Sequence, residues 1–278
     1  MSDGGKQNQK VQSYLMENAE EAKRLELKTD KAAVKRQAAW AGIEPGMRVL
    51  DVGCGTGITT EALAELVGET GQVTGLDFSQ ERLTIAREQC SSNRVDYVHH
   101  DILSPYYAPE PYDAVWSRFF LEYFRKDQRH IVMNCVASLR PGGIACLADL
   151  DNNSLNHCGL SDRLQQTFDD IVIRLERDFN FDPYAGRRLY GHLYDLGFQD
   201  IACSGEMHHL IYGKINEKDQ YNWLRKLEVM SQKSGCPFTA YDGNFDAFRA
   251  EFKAFLNDPR RFTYTPLIIV RGIKVSQE

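Results

Sequence analysis

Three features of the sequence predict an α/β fold built on a doubly wound, mostly parallel sheet. Strand-like apolar runs alternate with helix-like runs between residues 47 and 150. That rhythm means parallel pairing through right-handed crossovers. The first strand-like run ends in "DVGCGTG", so Gly53, Gly55 and Gly57 fall directly before a helical pattern. The chain has 278 residues, 42% of them apolar and 26% charged. That fits one large domain with a cap better than two independent units.

Taken in order, residues 1–10 read as an unstructured tail. Residues 11–40 read as helix, with an apolar stripe at Leu15, Ala19, Ala22, Leu25 and Leu27, and form the expected N-terminal helical cap. "GIEPGMR" breaks it. "RVLDVG" is strand one and "ITTEALAELVG" its helix; "GQVTGLDFS" is strand two. A helix follows in "SQERLTIAREQC", with Ser79 as N-cap. "RVDYVHHDI" and "YDAVWSRF" are strands three and four. The helix "RKDQRHIVMNCVASL" stops at "RPGG", and "GIACLADLD" is strand five.

Residues 160–179 place Leu160, Leu164, Phe168, Ile171 and Leu175 on one helical face. "AGRRLYGHLYDLGF" is a further helix, ended by Gly197. "QDIACSGEMHHLIYG" and "RFTYTPLIIVRGIKV" are strands six and seven, with helices at 217–233 and 245–256 between them. The expected organisation is one domain over 11–278. It has a ligand-binding core at 47–150 and helical insertions at 152–186 and 214–260, which form a lid. These insertions are rich in aromatic residues, among them Phe168, Phe179, Tyr221, Trp223 and Phe245, which suits an apolar pocket, a packed lid or a dimer contact.

Composition narrows the function classes. Net charge is −6, which argues against a nucleic-acid surface. No apolar run reaches the ~18 residues of a membrane span, and the N-terminal "MSDGGKQNQK" lacks a secretory signal's apolar stretch. Seven cysteines occur without any C-x-x-C, so a zinc knuckle or dithiol site is not signalled. Reduced thiols in a cytoplasmic protein, monomeric or homodimeric, are expected. No metal site is expected: His99 with His100, and His208 with His209, are strand neighbours that should point to opposite faces.

Glycines that end a strand and open a helix permit close approach of a ligand to the main chain, with helix N–H groups facing an anion. A dinucleotide fingerprint needs a third glycine where this chain has Ile58, which disfavours a nicotinamide-dependent oxidoreductase. No Lys-Ser or Lys-Thr follows, so this is not a P-loop. The pattern Asp51-x-Gly53-x-Gly55-x-Gly57 resembles the first motif of class I S-adenosylmethionine-dependent methyltransferases. "TGLDFS", "VHHDIL", "YDAVWSRFFLEY" and "LRPGGIACLAD" resemble the family's later motifs, in order, across residues 47–149.

That resemblance implies a seven-stranded sheet of order 3-2-1-4-5-7-6 and S-adenosyl-L-methionine as cofactor. It places the methionine part over Gly53, Cys54, Gly55 and Gly57, with Asp51 near the amino group. It assigns Asp77 to the ribose, Phe78 to the adenine, Asp101 to the adenine amino group, and Ile102, Ser117 and Arg118 to the cofactor's binding residues, while Arg118 could also orient an anionic substrate. Tyr123 stands where many small-molecule members carry His. "EEAKRLELK", residues 20–28, resembles a segment that folds over the cofactor and suggests Tyr14, Glu21 or Arg24 near the site.

In-line methyl transfer demands alignment more than a catalytic group. The candidates for a catalytic role are Arg118, Tyr123, Asp149 and His157, with Phe119, Phe120, Glu122 and Asp151 nearby. His157 is expected on an exposed loop, Cys54 as a turn filler, and Asp149 and Asp151 as loop caps. "SRFF" stands where amino methyltransferases acting on nucleobases carry N/D-P-P-Y/F, so the expected acceptor is a small molecule, not nucleic acid and not a membrane. The alternatives are a protein methyltransferase and a protein that binds the cofactor without catalysis.

Overall fold

The computed structural model describes residues 30–89 and 92–276. Five strands run parallel: β1 (Arg48–Val52), β2 (Gln72–Asp77), β3 (Val95–His99), β4 (Tyr112–Arg118) and β5 (Leu139–Leu150). Three more follow: β6 (His157–Cys158), β7 (Gln199–Tyr212) and β8 (Phe262–Ile273). The order is β3-β2-β1-β4-β5-β8, with β7 outside β8. β8 is antiparallel to both β5 and β7, so β7 runs parallel to the first five. The two-residue β6 pairs with the start of β8 on the side left free by β7. Setting that short strand aside, this is the order expected from sequence.

The strands alternate their burial between two helical layers. One face carries α1 (Lys31–Ala41) and α2 (Ile58–Val67), packed through Val34, Ala38, Ala62 and Leu63 onto Val49, Trp116 and Ala148. On the same face, α3 (Gln80–Gln89) places Leu83 and Ala86 against Tyr97 and Cys54. The other face carries α4 (Gln128–Cys135) and α6 (Ala185–Asp195), through Ile131, Val132, Leu189 and Leu193 onto Leu50, Val115 and Leu147. A third core joins α5 (Asp162–Asp178), α7 (Glu217–Ser234) and α8 (Phe245–Asn257) around Phe168, Leu175, Trp223, Phe248 and Phe252. The chain enters this helical layer from the carboxyl ends of β5 and β7, so it lies at the carboxyl edge of the sheet.

Two expectations change. Residues 11–40 are not one helix: Asp30 has extended backbone (φ −87°, ψ 104°) and its side chain caps α1 by accepting from the Ala32 N–H. The part of that segment before Asp30, with Tyr14, Glu21 and Arg24, lies outside the described residues. His208 and His209 do not diverge: the register with β8 shifts between Met207 and His209, and their ring centroids sit 4.4 Å apart. A bulge breaks the alternation that a regular strand would impose.

Candidate functional site

The turn after β1 is built from main chain. Gly53 and Cys54 both donate N–H bonds to the Leu76 carbonyl at 2.8 and 3.1 Å, tying the turn to the end of β2. Gly53, Gly55 and Gly57 have φ of +75°, +56° and +87°, a region costly for other residues. Their surroundings differ. A Cβ on Gly53 would fall 2.5 Å from the Phe120 ring, and one on Gly57 would collide with the Tyr97 hydroxyl. A Cβ on Gly55 would meet nothing within 4 Å. Two glycines therefore let the turn pack inward, and the third faces open space.

Acidic side chains frame that opening. Asp77 ends β2 and holds the turn, accepting from Gly55 N at 2.9 Å through one oxygen and from Ser79 N at 2.8 Å through the other. Each oxygen retains a second lone pair. Asp51, on β1, is buried and accepts from the Thr60 hydroxyl at 2.7 Å. Burial pushes its pKa up to about 7; Thr60 lowers it in part, and Asp77 adds to the rise. Cys54 is buried and its thiol is pushed well above its usual range by desolvation, so it fills the turn and is not a nucleophile. Phe78 is 53% exposed, its carbonyl bonded to the His99 ring at 2.7 Å. Asp101 lies exposed in the turn after β3, accepting from Leu103 N, while Ile102 is buried in the sheet core.

The ends of β4 and β5 form the second half. Ser117 is buried, and its hydroxyl lacks a hydrogen-bond partner among the described residues. Arg118 stacks its guanidinium 3.9 Å from the ring centroid of Phe119, a residue at φ +57°. Phe119 touches His208, His209 touches Trp223, and Trp223 touches His157. A ladder of rings thus runs from β4 into the helical layer. Beside it Lys226 bonds Asn153 at 2.5 Å, and Asn153 bonds Glu122 at 2.6 Å.

Asp149 is buried and accepts from the N–H groups of Phe120, Glu122 and Leu150. Its pKa is raised well above the carboxylate range, by burial and then by Glu122. It fixes the short 3₁₀ turn Leu121–Tyr123. Tyr123 packs against the helical core near Phe181. Asp151 is held by both forks of Arg187 at 2.7 and 2.9 Å.

His157 is not on an exposed loop. β6 carries it into the helical core among Phe168, Trp223, Phe252 and Phe255, with Nδ1 2.9 Å from the Thr263 hydroxyl. Burial, then Lys226 and Arg261, push its pKa down to about 3, so the ring stays neutral. Among the described residues, no group of three or more His, Cys, Asp or Glu side chains could hold a metal ion. No described helix is long and apolar enough to cross a membrane.

Residues 49–143, the segment that carries the glycine turn and both its carboxylates, match the methyltransferase domain family model. These residues are a class I S-adenosylmethionine-dependent methyltransferase domain. The demethylmenaquinone methyltransferase of Staphylococcus aureus is 40% identical to this chain over 119 residues, which is 41% of this chain and 47% of that one. The match thus spans about half the length of that relative. Among solved structures, the [4+2]-cyclase SpnF is similar at a TM-score of 0.54 and 20% identity, over 88% of this chain and 82% of that one. Phosphoethanolamine N-methyltransferase 2 of Haemonchus contortus, solved with phosphomonomethylethanolamine and S-adenosylhomocysteine, gives 0.54 and 19%, over 88% and 52%. At those identities the likeness is one of fold, and a cyclase among the neighbours shows that the fold alone does not set the reaction.

The residues present fit the cofactor of this methyltransferase family. The open face of Gly55, the free lone pairs of Asp77, the first-turn N–H groups of α2 and the exposed ring of Phe78 all lie at the carboxyl ends of β1 and β2. Of the residues singled out from sequence, the structure brings Asp51, Gly53, Cys54, Gly55, Gly57, Asp77 and Phe78 together there. It sets Ser117, Arg118 and Asp149 at the neighbouring strand ends, and His157 apart in the helical core. Sequence reasoning missed Thr60, Asn153 and Lys226 as site neighbours, named Trp223 only among the lid aromatics, and considered His208 only as a metal ligand. For Thr60 a signal existed, since the first turn of the helix after the glycines must face the end of β1.

Proposed function

We propose that the chain binds S-adenosylmethionine along the carboxyl ends of β1 and β2 and transfers its methyl group to a small molecule held beneath the helical layer. The single observation that carries this reading is the turn at 53–57: main chain locked to Leu76 and Asp77, open only over Gly55. When bound, the cofactor supplies an electrophilic methyl group on a sulfonium.

Each residue then has a defined task. The first-turn N–H groups of α2 face a carboxylate. Asp51 faces an ammonium, and its raised pKa means that it gives up its proton as that cation arrives. Asp77 accepts from a pair of ribose hydroxyls with its remaining lone pairs. Phe78 lies flat against a base. Asp149 and Glu122 hold the β4 exit in shape, and the helices within 152–186 and 214–260 act as the lid that excludes water. The ring ladder from Phe119 to Trp223 forms the wall of the acceptor pocket.

Titration calorimetry with S-adenosylmethionine, S-adenosylhomocysteine and NAD tests the cofactor, and release of S-adenosylhomocysteine against a metabolite panel tests catalysis. Binding of the first two and not of NAD, with turnover on at least one metabolite, is the expected result. Binding without turnover on any metabolite or protein extract supports a non-catalytic binder, and turnover only on protein extract supports a protein acceptor. The relative from S. aureus is named for a quinone precursor; because less than half of this chain is shared with it, that acceptor enters the panel as one compound among others.

A further inference from the structure

Arg118 is a half-buried cation with no hydrogen-bond or ion-pair partner among the described residues. Its Nε is fully enclosed and makes no hydrogen bond among the described residues. Four carboxylates lie in its field, in decreasing order of influence Glu206, Asp149, Asp30 and Asp51. Each is engaged elsewhere. Glu206 accepts from Gln37 at 2.8 Å and from Arg36 at 3.1 Å. Asp149 holds three main-chain N–H groups, Asp30 caps α1, and Asp51 takes the Thr60 hydroxyl. The carboxylates keep the guanidinium charged, at a pKa lowered only to about 10 by burial, yet none neutralises it. A partly desolvated cation with no counter-ion on it is completed by an anionic ligand.

The direction of the side chain decides which ligand. Arg118 shares the sheet face of Trp116 and Asp51, and its strongest charged neighbour is Glu206 on β7, three strands away from β4. Asp51, on the adjacent strand β1, is the weakest of the four. The guanidinium lies over the Phe119 ring, and Phe119 in turn touches His208, where the ring ladder begins. The first turn of α2 already offers N–H groups to the cofactor's carboxylate. A planar fork fixed by stacking on Phe119 suits bidentate contact with another anion.

We propose that Arg118 anchors an anionic group of the methyl acceptor, a carboxylate or a phosphate monoester, whose apolar body lies along Phe119, His208 and Trp223. This rests on the methyltransferase reading above and adds the acceptor's chemical class to it. Asp149, whose pKa burial raises well above the carboxylate range, presents less negative charge to such an acceptor than an ionised carboxylate would.

The test uses the full chain saturated with S-adenosylhomocysteine and titrates inorganic phosphate and benzoate by calorimetry. At least one should bind wild-type protein, and Arg118→Ala should weaken that binding tenfold or more, with Arg118→Lys intermediate. S-adenosylhomocysteine and 5′-methylthioadenosine, which lacks the amino-acid part, are titrated alone into the same variants. Unchanged affinity for both supports the acceptor-side assignment. Weakened S-adenosylhomocysteine with unchanged methylthioadenosine would place the guanidinium on the cofactor's carboxylate and overturn it. So would equal binding of the anions by wild type and Arg118→Ala, or no binding of either by wild type. If Arg118→Ala does not fold, Arg118→Gln, which is shorter and uncharged but fills more of the space and keeps an amide donor, replaces it. Failure of S-adenosylhomocysteine itself to bind wild type sinks the cofactor reading and is read separately.

Discussion

The two halves of the site are made from different materials. The half at β1 and β2 is main chain: three glycines at positive φ, two carboxylates bonded to backbone or to a helix hydroxyl, and the free end of α2. The half at β4, β5 and β7 is side chain: a stacked Arg118 and Phe119, and a ring ladder from His208 to His157 drawn from β6, β7 and α7. Backbone recognises what every cofactor molecule shares. Side chains can be exchanged without disturbing the turn, so under the proposed function the second half is where one acceptor would be distinguished from another.

The largest expected effect separates the three glycines. Gly53→Ala should lose about 2–5 kcal/mol of stability in urea unfolding, from positive φ and from overlap with Phe120. Gly57→Ala should behave alike against Tyr97. Gly55→Ala should cost only about 1–2 kcal/mol, the φ penalty alone, yet abolish S-adenosylhomocysteine binding because its methyl enters the opening. Equal stability losses at all three positions would show that Gly55 is no cradle.

The second contrast is in pH. His157 has a folded pKa depressed from 6.5 to about 3, so its unfolded form takes up a proton first as pH falls. The stability it allows is present above pH 6.5 and is lost below it, roughly 2 kcal/mol by pH 5. Asp51 has a folded pKa raised from 3.8 to about 7, so between these values the folded state holds the extra proton. Its contribution therefore grows as pH falls from 7 toward 4, at a similar slope. The two nearly cancel in the wild type. His157→Phe should gain stability relative to wild type as pH drops through 6, and Asp51→Asn should lose it; parallel profiles for all three proteins would refute both assignments. The same raised Asp51 pKa predicts that S-adenosylmethionine binds more tightly, and releases fewer protons, as pH rises through 7.

Asp77→Ala comes next, on affinity. The carboxylate holds the turn through Gly55 and Ser79 and, on the proposed assignment, also the ribose, so the variant should weaken S-adenosylhomocysteine by roughly 2–3 kcal/mol. Asp77→Asn, which keeps one acceptor oxygen, should lose less. Calorimetry that finds Asp77→Ala unchanged would remove the ribose assignment.

The same contrast explains what was legible in the sequence. Asp51, the glycines and Asp77 sit within 27 residues, and each marks the end of an apolar run, so spacing alone locates them. The sheet order followed because alternating elements leave few right-handed topologies. His157 was misplaced on a surface loop because its burial depends on α5, α7 and α8 closing around it. No local pattern encodes that. The paired His208 and His209 were misread because a bulge is a property of the pairing with β8, not of β7 itself. Arg118 was visible as a candidate, but its lack of a partner depends on where four distant acids spend their hydrogen bonds.

The smallest effect concerns Cys54, and it tests the claim that the cofactor half acts through backbone. A cysteine beside a helix start invites a reactive thiolate, yet this one is buried next to Asp51 and Asp77, and both oppose ionisation. Cys158 and Cys203 are exposed. Iodoacetamide at pH 8 should therefore modify Cys158 and Cys203 in the native protein and leave Cys54 intact until unfolding, as read by peptide mass. Cys54→Ala should change S-adenosylhomocysteine affinity less than twofold, since its N–H to Leu76 persists whatever the side chain. Rapid native labelling of Cys54, or a tenfold affinity loss in Cys54→Ala, would make the turn depend on a side chain and dissolve the distinction between the two halves.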